Sequence, residues 1–200
     1  MRDLTEKYLQ ERLTATFASE PRVKVLRREI RVQTADGRGV AGTVFLNHVA
    51  SGRCFTISAS AAEPPTLRAL RERLDPPYRS GLLTDTAMSC DSVNERRRGH
   101  GADVPVPTRE SDIEGAVVRL ADAIVDVFVP RVLDVADLRP GVIPAALEQP
   151  TNYAWPVLTV LAAMQVNSIP RSDVDAERLL GKKVSRNRAF DAAALEQLGG

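Results

Sequence analysis

The sequence is poor in the residues that catalytic and metal sites use most. It has two histidines, His48 and His100, and two cysteines, Cys54 and Cys90. These four residues lack the paired spacing of a structural zinc site, so we expect no bound metal. Two thiols in a chain of 200 residues do not form a disulfide framework. We therefore expect a protein whose thiols stay reduced.

Long apolar runs are also missing. The longest run, residues 157–166, is too short and too interrupted to span a bilayer. Residues 1–6 lack the apolar region of a secretory signal. The sequence therefore predicts a cytoplasmic protein that has no membrane partner.

The chain has few aromatic residues, only 4%, so valine, leucine, isoleucine and alanine must build its core. The net charge of +1 gives no general attraction to nucleic acid or membrane. Charge is nevertheless separated along the chain. Residues 21–100 carry 14 basic and 8 acidic groups, a net +6, whereas residues 101–150 carry 4 and 9, a net −5. Such a separation can steer a charged partner toward one surface.

Hydrophobic periodicity predicts an α+β fold. Alternating apolar residues joined by short glycine-containing turns predict an antiparallel meander, with strands at 23–34, 41–49, 54–61 and, less regularly, 88–93. Helical spacing predicts helices at 4–17, 65–74, 111–129, 172–180 and 189–198, and one that begins at Pro156. We predict an antiparallel sheet of three to five strands with helices packed on one face. This core domain would occupy residues 1–137, followed by a helical C-terminal extension at 138–200.

The clearest helix is the one predicted at 111–129. Ser111 and Glu114 have the spacing of a capping box, and Pro130 should end or kink the helix. The predicted core stripe consists of Ile113, Val117, Leu120, Ile124 and Phe128. Asp112, Glu114, Asp122 and Asp126 fall outside that stripe.

A glycine motif, Gly37-x-Gly39-x-x-Gly42, matches the fingerprint of dinucleotide-binding loops. That fingerprint requires a helix after the glycines, because the helix N-terminus holds the pyrophosphate. Residues 43–46 instead continue as a strand. The related protein-kinase loop requires a lysine on the next strand, but the next lysine in the chain is Lys182. We therefore interpret the glycines as a turn and expect no cofactor.

Three groups of residues are candidates for binding a partner. Arg96, Arg97, Arg98 and His100 suit an acidic partner or a phosphate backbone, although nearby carboxylates and the lack of interleaved aromatics argue against nucleic acid. Asp112, Asp122 and Asp126 form either the solvated face of a helix or a surface for a basic partner. Trp155 is either an interface anchor or a core side chain.

The order of elements resembles one bacterial family, the domain of unknown function 4304. The residues that carry the resemblance are Phe55-Thr56-Ile57, Cys90, Arg98-Gly99, the helix at 111–129 and Pro130-Arg-Val-Leu133. The match covers about residues 1–135. The resemblance implies no catalytic residues and suggests a binding protein, since similar domains occur among immunity proteins that neutralise bacterial toxins.

Our leading hypothesis is a non-enzymatic protein-binding module, with a toxin-neutralising immunity protein as its specific form. One alternative is a divergent enzyme that uses Cys90 or His100, with Asp103, in a pocket beneath the irregular 78–107 stretch. Another is a nucleic-acid-binding protein that uses the basic residues of 21–100. The sequence does not identify the partner or the oligomeric state.

Overall fold

The structure is a computed structural model that describes residues 1–95 and 104–198, and it confirms the α+β class. The strands are β1 (Val23–Val25), β2 (Glu29–Gln33), β3 (Val40–Val49), β4 (Cys54–Ala62), β5 (Thr86–Asp91) and β6 (Val104–Pro105). The helices are α1 (Arg2–Thr16), α2 (Pro65–Leu74), α3 (Ser92–Glu95), α4 (Ile113–Ala123), α5 (Val129–Asp137), α6 (Val142–Glu148), α7 (Pro156–Asn167), α8 (Ala176–Leu179) and α9 (Arg188–Leu198).

The sheet contains the predicted antiparallel meander. Its strands lie in the order β1-β2-β3-β4-β5, and the short β6 pairs with β4 as a sixth strand. The chain divides into two units. The first contains Met1–Ser60 and Cys90–Val132, and the second contains Ala61–Ser89 and Leu133–Gly200. The division into a core domain at 1–137 and an extension at 138–200 stays a prediction.

The single strand predicted at residues 23–34 is wrong, because the chain reverses within it. β1 and β2 form a hairpin in which Val25 pairs with Ile30, and the Leu26 N–H donates to the Glu29 carbonyl at 2.8 Å. The turn places two arginines beside a buried carboxylate on α1. Arg28 Nη2 lies 2.8 Å from Glu6 Oε1, and Arg27 Nε lies 3.2 Å from Glu6 Oε2.

The glycine motif forms a turn followed by a strand, as predicted. Gly37 adopts a left-handed φ of 69° in the turn, which a residue without a Cβ accepts at no steric cost. Gly42 then pairs with Val32, and Thr43 pairs with Arg31. β3 therefore stands where a dinucleotide site would need a helix.

The core of the first unit lies beneath α1 and α4. α1 contacts α4 and β1, and α4 also contacts β6. The predicted core stripe of the long helix is confirmed, since Ile113, Val117, Leu120, Ile124 and Phe128 are all buried. On β4, the buried side chains of Phe55, Ile57 and Ala59 alternate with more exposed polar neighbours, as the sequence predicted.

The capping box predicted at the start of the long helix is wrong. A 3-10 turn, Glu110–Asp112, precedes α4, and the helix begins without a side-chain cap. The Ser111 hydroxyl donates to the neighbouring Asp112 carboxylate at 3.3 Å instead of accepting from the backbone. The extra turn shifts the helix start by two residues, which separates Ser111 from the position that a cap requires.

Pro130 does not end the long helix. One π-helical turn, Ile124–Phe128, connects α4 to α5, and Pro130 is the second residue of α5. Proline lacks an N–H and its ring displaces the carbonyl four residues earlier, which is Asp126 here. A wider π turn accommodates one such misfit without breaking the helix. The chain then forms α6, which the sequence analysis did not predict because Pro140 and Pro150 flank it and Pro144 lies within its first turn.

The core of the second unit is built around α7. This helix begins at Pro156 as predicted, and its residues from Pro156 to Met164 are all buried. It contacts α2, α6 and α9. The helix predicted at 172–180 is shorter than expected, since it consists of a 3-10 turn, Arg171–Asp173, and the single turn of α8.

Candidate functional site

The structure describes four of the eight residues predicted to bind a partner. Arg96, Arg97, Arg98 and His100 lie outside the described residues, as does Asp103 of the alternative catalytic set. The other four fall into different units. Asp112, Asp122 and Asp126 belong to the first unit, and Trp155 belongs to the second.

Asp112, Asp122 and Asp126, which we call the acidic face, are all exposed. Their spacing of ten and then four residues places them on one side of the helix, away from the buried stripe. Across residues 110–126 the sequence has five carboxylates and one basic group, a net charge of −4. The helix therefore presents a mainly negative surface, in which exposed Arg119 lies on the same side as the three aspartates.

A groove adjoins the N-terminal half of this face, and we call it the α4 groove. It has a volume of about 320 Å³. Its lining consists of Pro105, Val106, Pro107, Thr108, Asp112, Ala116 and Arg119. The Arg119 guanidinium donates to the Gly115 carbonyl at 3.3 Å, within its own helix. The groove thus has both apolar and charged residues in its lining.

Trp155 lines a second concavity, the Trp155 cavity, which belongs entirely to the second unit. Its volume is about 280 Å³. The lining residues come from the position after β4, from α2, from the loop that leads into β5 and from the position before α7: Glu63, Arg71, Arg79, Ser80, Leu82, Leu83, Thr84, Asp85, Thr86 and Trp155. The sequence analysis identified only Trp155 among them.

A buried carboxylate organises one wall of the Trp155 cavity. The Glu63 side chain is only 4% exposed, and Arg71 donates to both of its oxygens, at 2.8 and 3.0 Å. Arg68 lies 3.5 Å from Glu63 and 3.3 Å from Asp85. The hydrogen bond to Glu63 raises the pKa of Arg71. Two carboxylates thus hold two guanidiniums in fixed positions.

Aromatic rings form the back of the same wall. The Arg71 guanidinium lies 6.0 Å from the Trp155 ring centroid, within the range of a cation–π contact. Tyr78 packs against Trp155 at 5.5 Å on one side and edge-on against Phe190 at 5.9 Å on the other. These contacts hold the half-buried indole in place at the cavity.

Behind the rings lies a fully buried aspartate. The Tyr78 hydroxyl donates to Asp191 Oδ1 at 2.9 Å, and the Ser185 hydroxyl donates to Asp191 Oδ2 at 2.7 Å. Burial, together with the neighbouring negative charge, raises the pKa of Tyr78. The three side chains, which we call the Tyr78 network, tie the loop before β5 to α9.

The residues proposed for an alternative catalytic site do not form a described site. Cys90 is a buried residue of β5, only 4% exposed, which is typical of an inert structural thiol. His48 lies on β3 with its ring edge-on to Phe55 at 6.0 Å. Within residues 1–95 and 104–198, no group of three or more histidine, cysteine, aspartate or glutamate side chains is placed to hold a metal ion.

No family model, no curated protein and no solved structure matches this chain. The resemblance to the domain of unknown function 4304 therefore stays a prediction. Among the helices of the described residues, none is both long and apolar enough to cross a bilayer. The cytoplasmic location stays a prediction as well.

Proposed function

We propose that this chain is a non-enzymatic protein-binding module that captures a basic partner on its acidic face. The observation that supports the proposal best is the exposure of Asp112, Asp122 and Asp126 along one side of a helix whose other side is buried. Asp122 and Asp126 are four residues apart on the helix and repel each other, a repulsion that Arg119, three residues before Asp122, offsets only in part. A positively charged surface that approaches them relieves this repulsion.

The α4 groove supplies the second element of such an interface. Protein interfaces place an apolar anchor at their centre and charged residues at their rim. The lining of the groove contains Val106, Pro107 and Ala116, and its volume of about 320 Å³ is sufficient for a large partner side chain. The same lining contains exposed Asp112 and Arg119. The partner that fits is a protein with an apolar anchor flanked by lysines or arginines.

The test is a charge reversal with a matched control. The partner captured from the native host by the wild-type chain is identified and purified, and its association rate is then measured. Asp122→Lys combined with Asp126→Lys should slow association about tenfold or more at low ionic strength, because electrostatic steering sets that rate. Glu11→Lys combined with Glu196→Lys makes the same charge change on exposed residues elsewhere and should leave the rate unchanged.

Either of two results would reject the proposal. One is an association rate that the acidic-face variant leaves unchanged. The other is an equal loss in the control variant, which would show a general effect of net charge. Circular dichroism of both variants should match the wild type, since all four side chains are exposed.

A toxin is the specific partner that the immunity-protein hypothesis names, and it has a separate test. The product of a neighbouring gene is expressed in a host that it kills, with and without this chain. Rescue of growth by the wild type but not by the acidic-face variant supports the toxin as partner. Rescue by neither protein rejects the hypothesis that the partner is this toxin. The association rates described above then test the binding surface on their own.

A further inference from the structure

The Trp155 cavity has polar groups that the described part of the protein does not use. The exposed Arg79 guanidinium lines the cavity, and no ion pair or hydrogen bond joins it to a described side chain of residues 1–93 or 104–198. The same holds for the hydroxyls of Thr84 and Thr86. By contrast, the Ser80 hydroxyl is engaged locally, where it accepts from the Leu82 N–H at 2.9 Å. One guanidinium and two hydroxyls are therefore available to a ligand.

The charged residues that line the cavity, Glu63, Arg71, Arg79 and Asp85, sum to zero, but one of the cations has no ion-pair partner among the described side chains. Glu63 and Asp85 neutralise Arg68 and Arg71 through ion pairs of 2.8 to 3.5 Å. Arg79 remains as an uncompensated cation among these described residues. Its backbone is fixed independently of its side chain, because the Arg186 guanidinium donates to the Arg79 carbonyl at 3.0 Å. An unpaired guanidinium at this position can bind a carboxylate through two parallel hydrogen bonds.

The remainder of the lining is apolar. The Trp155 ring lies half-buried between Arg71 and Tyr78, and Leu83 stands 83% exposed at the same cavity. A leucine this exposed contributes almost nothing to folding. It can cover an apolar group that enters the cavity. The volume of about 280 Å³ lies just below the range of roughly 300–1,000 Å³ for ligand pockets, which selects a small molecule.

We propose that the Trp155 cavity binds a small organic acid. Its carboxylate lies on Arg79 with Thr84 and Thr86, and its apolar part lies against Trp155 and Leu83. This site belongs to the second unit, whereas the acidic face belongs to the first. The proposal therefore does not depend on the protein-binding function, and each can fail while the other stands.

Trp155 makes the site directly observable, because it is the only tryptophan in the chain. The probe is benzoate. Its binding is measured by the tryptophan fluorescence of the protein, excited at a wavelength that benzoate does not absorb, and by NMR chemical shifts. Benzyl alcohol measures how tightly the aromatic ring binds without a carboxylate. Inorganic phosphate measures how tightly an anion binds without an aromatic ring. We expect a saturable response to benzoate, and binding at least about tenfold weaker for each of the other two.

Two variants locate the carboxylate. Arg79→Gln should weaken benzoate binding about tenfold or more, whereas Arg73→Gln, an exposed arginine of α2 outside the cavity lining, should not change it. Leu83→Asp places a negative charge at the cavity on a residue too exposed to affect folding, and it should also weaken binding. If Arg79→Gln folds poorly, the Leu83→Asp variant still tests whether the cavity binds the acid.

Several results would overturn the proposal. They are a wild type without a saturable response to benzoate, equal binding by Arg79→Gln and Arg73→Gln, and unchanged binding by Leu83→Asp. Benzyl alcohol binding as tightly as benzoate would show an apolar pocket rather than an acid site. Phosphate binding as tightly as benzoate would show a site for inorganic anions.

Discussion

Replacing Tyr78 by phenylalanine removes one hydroxyl from the centre of the Tyr78 network and leaves the ring in place. The packing of the ring against Trp155 and Phe190 is retained. What is lost is the 2.9 Å hydrogen bond to Asp191, a carboxylate with no exposed surface. A hydrogen bond to a charged group contributes about 1.5–3 kcal/mol, and the buried oxygen has no water to replace the missing donor.

We therefore expect Tyr78→Phe to lower the free energy of unfolding by about 2 kcal/mol. In a chain of this length that corresponds to a fall in melting temperature of roughly 4–8 °C. The assay is urea and thermal unfolding followed by circular dichroism. Tyr8→Phe is the matched control, because Tyr8 is 40% exposed on α1 and its hydroxyl has no partner among the described residues. That control should change stability by less than about 0.5 kcal/mol.

The pH dependence gives the same prediction a second readout. Burial raises the pKa of Tyr78 in the folded protein above its ordinary value of about 10. The unfolded chain therefore loses this proton first as the pH rises. In the wild type, the contribution of Tyr78 to the free energy of unfolding is fully present below about pH 10. It is lost as the pH rises from there through the pKa of Tyr78 in the folded protein. Tyr78→Phe lacks the group, so the difference between the two proteins should shrink above pH 10.

The reasoning about the network would be refuted by a Tyr78→Phe protein as stable as the wild type at neutral pH. It would also be refuted by equal losses in Tyr78→Phe and Tyr8→Phe. A double-mutant cycle with Ser185→Ala tests whether the two donors share one acceptor, since residues in one network couple. Strictly additive losses would show that Asp191 does not join them.

Two further predictions concern buried carboxylates. Glu6→Gln removes the charge that pairs with Arg27 and Arg28, so urea unfolding should show a free energy of unfolding lower by about 1.5–3 kcal/mol. Unchanged stability would contradict a role for Glu6 in holding the β1–β2 turn. Burial raises the pKa of Asp134, so its stabilising contribution is present at low pH and is lost as the pH rises through the folded pKa. Asp134→Asn should therefore raise the melting temperature at neutral pH relative to the wild type and lose that advantage below about pH 3, and the opposite trend would contradict this reading.

The sequence predicted those parts of the fold that depend on local patterns. The alternation on β4, the stripe from Ile113 to Phe128 and the start of α7 at Pro156 all follow from periodicity or from one residue with a fixed backbone preference. The strand after Gly42 was predicted correctly because residues 43–46 have strand composition and no helical spacing.

Other elements depend on contacts that no local pattern shows. The reversal between β1 and β2 places Arg27 and Arg28 beside Glu6, which lies about twenty residues earlier in the chain. The π turn before Pro130 accommodates a proline that local rules interpret as a helix end. The predicted capping box is absent because its residues Ser111 and Asp112 form a 3-10 turn before the helix begins.

The two candidate sites differ in the same way. The acidic face could be predicted because residues outside a buried helical stripe must face solvent, as Asp122 and Asp126 do. The Trp155 cavity could not, because its walls come from four separate segments. Tyr78 and Asp191, which support it, are 113 residues apart in the chain. Only the single tryptophan in the sequence pointed toward it.

The central claim is that the acidic face captures a basic protein, and the salt dependence of the association rate tests it most directly. With the captured partner, wild-type association should slow steeply as ionic strength rises. Asp122→Lys combined with Asp126→Lys should be slow at low salt and should converge with the wild type at high salt. A double variant that associates as fast as the wild type at low salt, with the same salt slope, would contradict the claim.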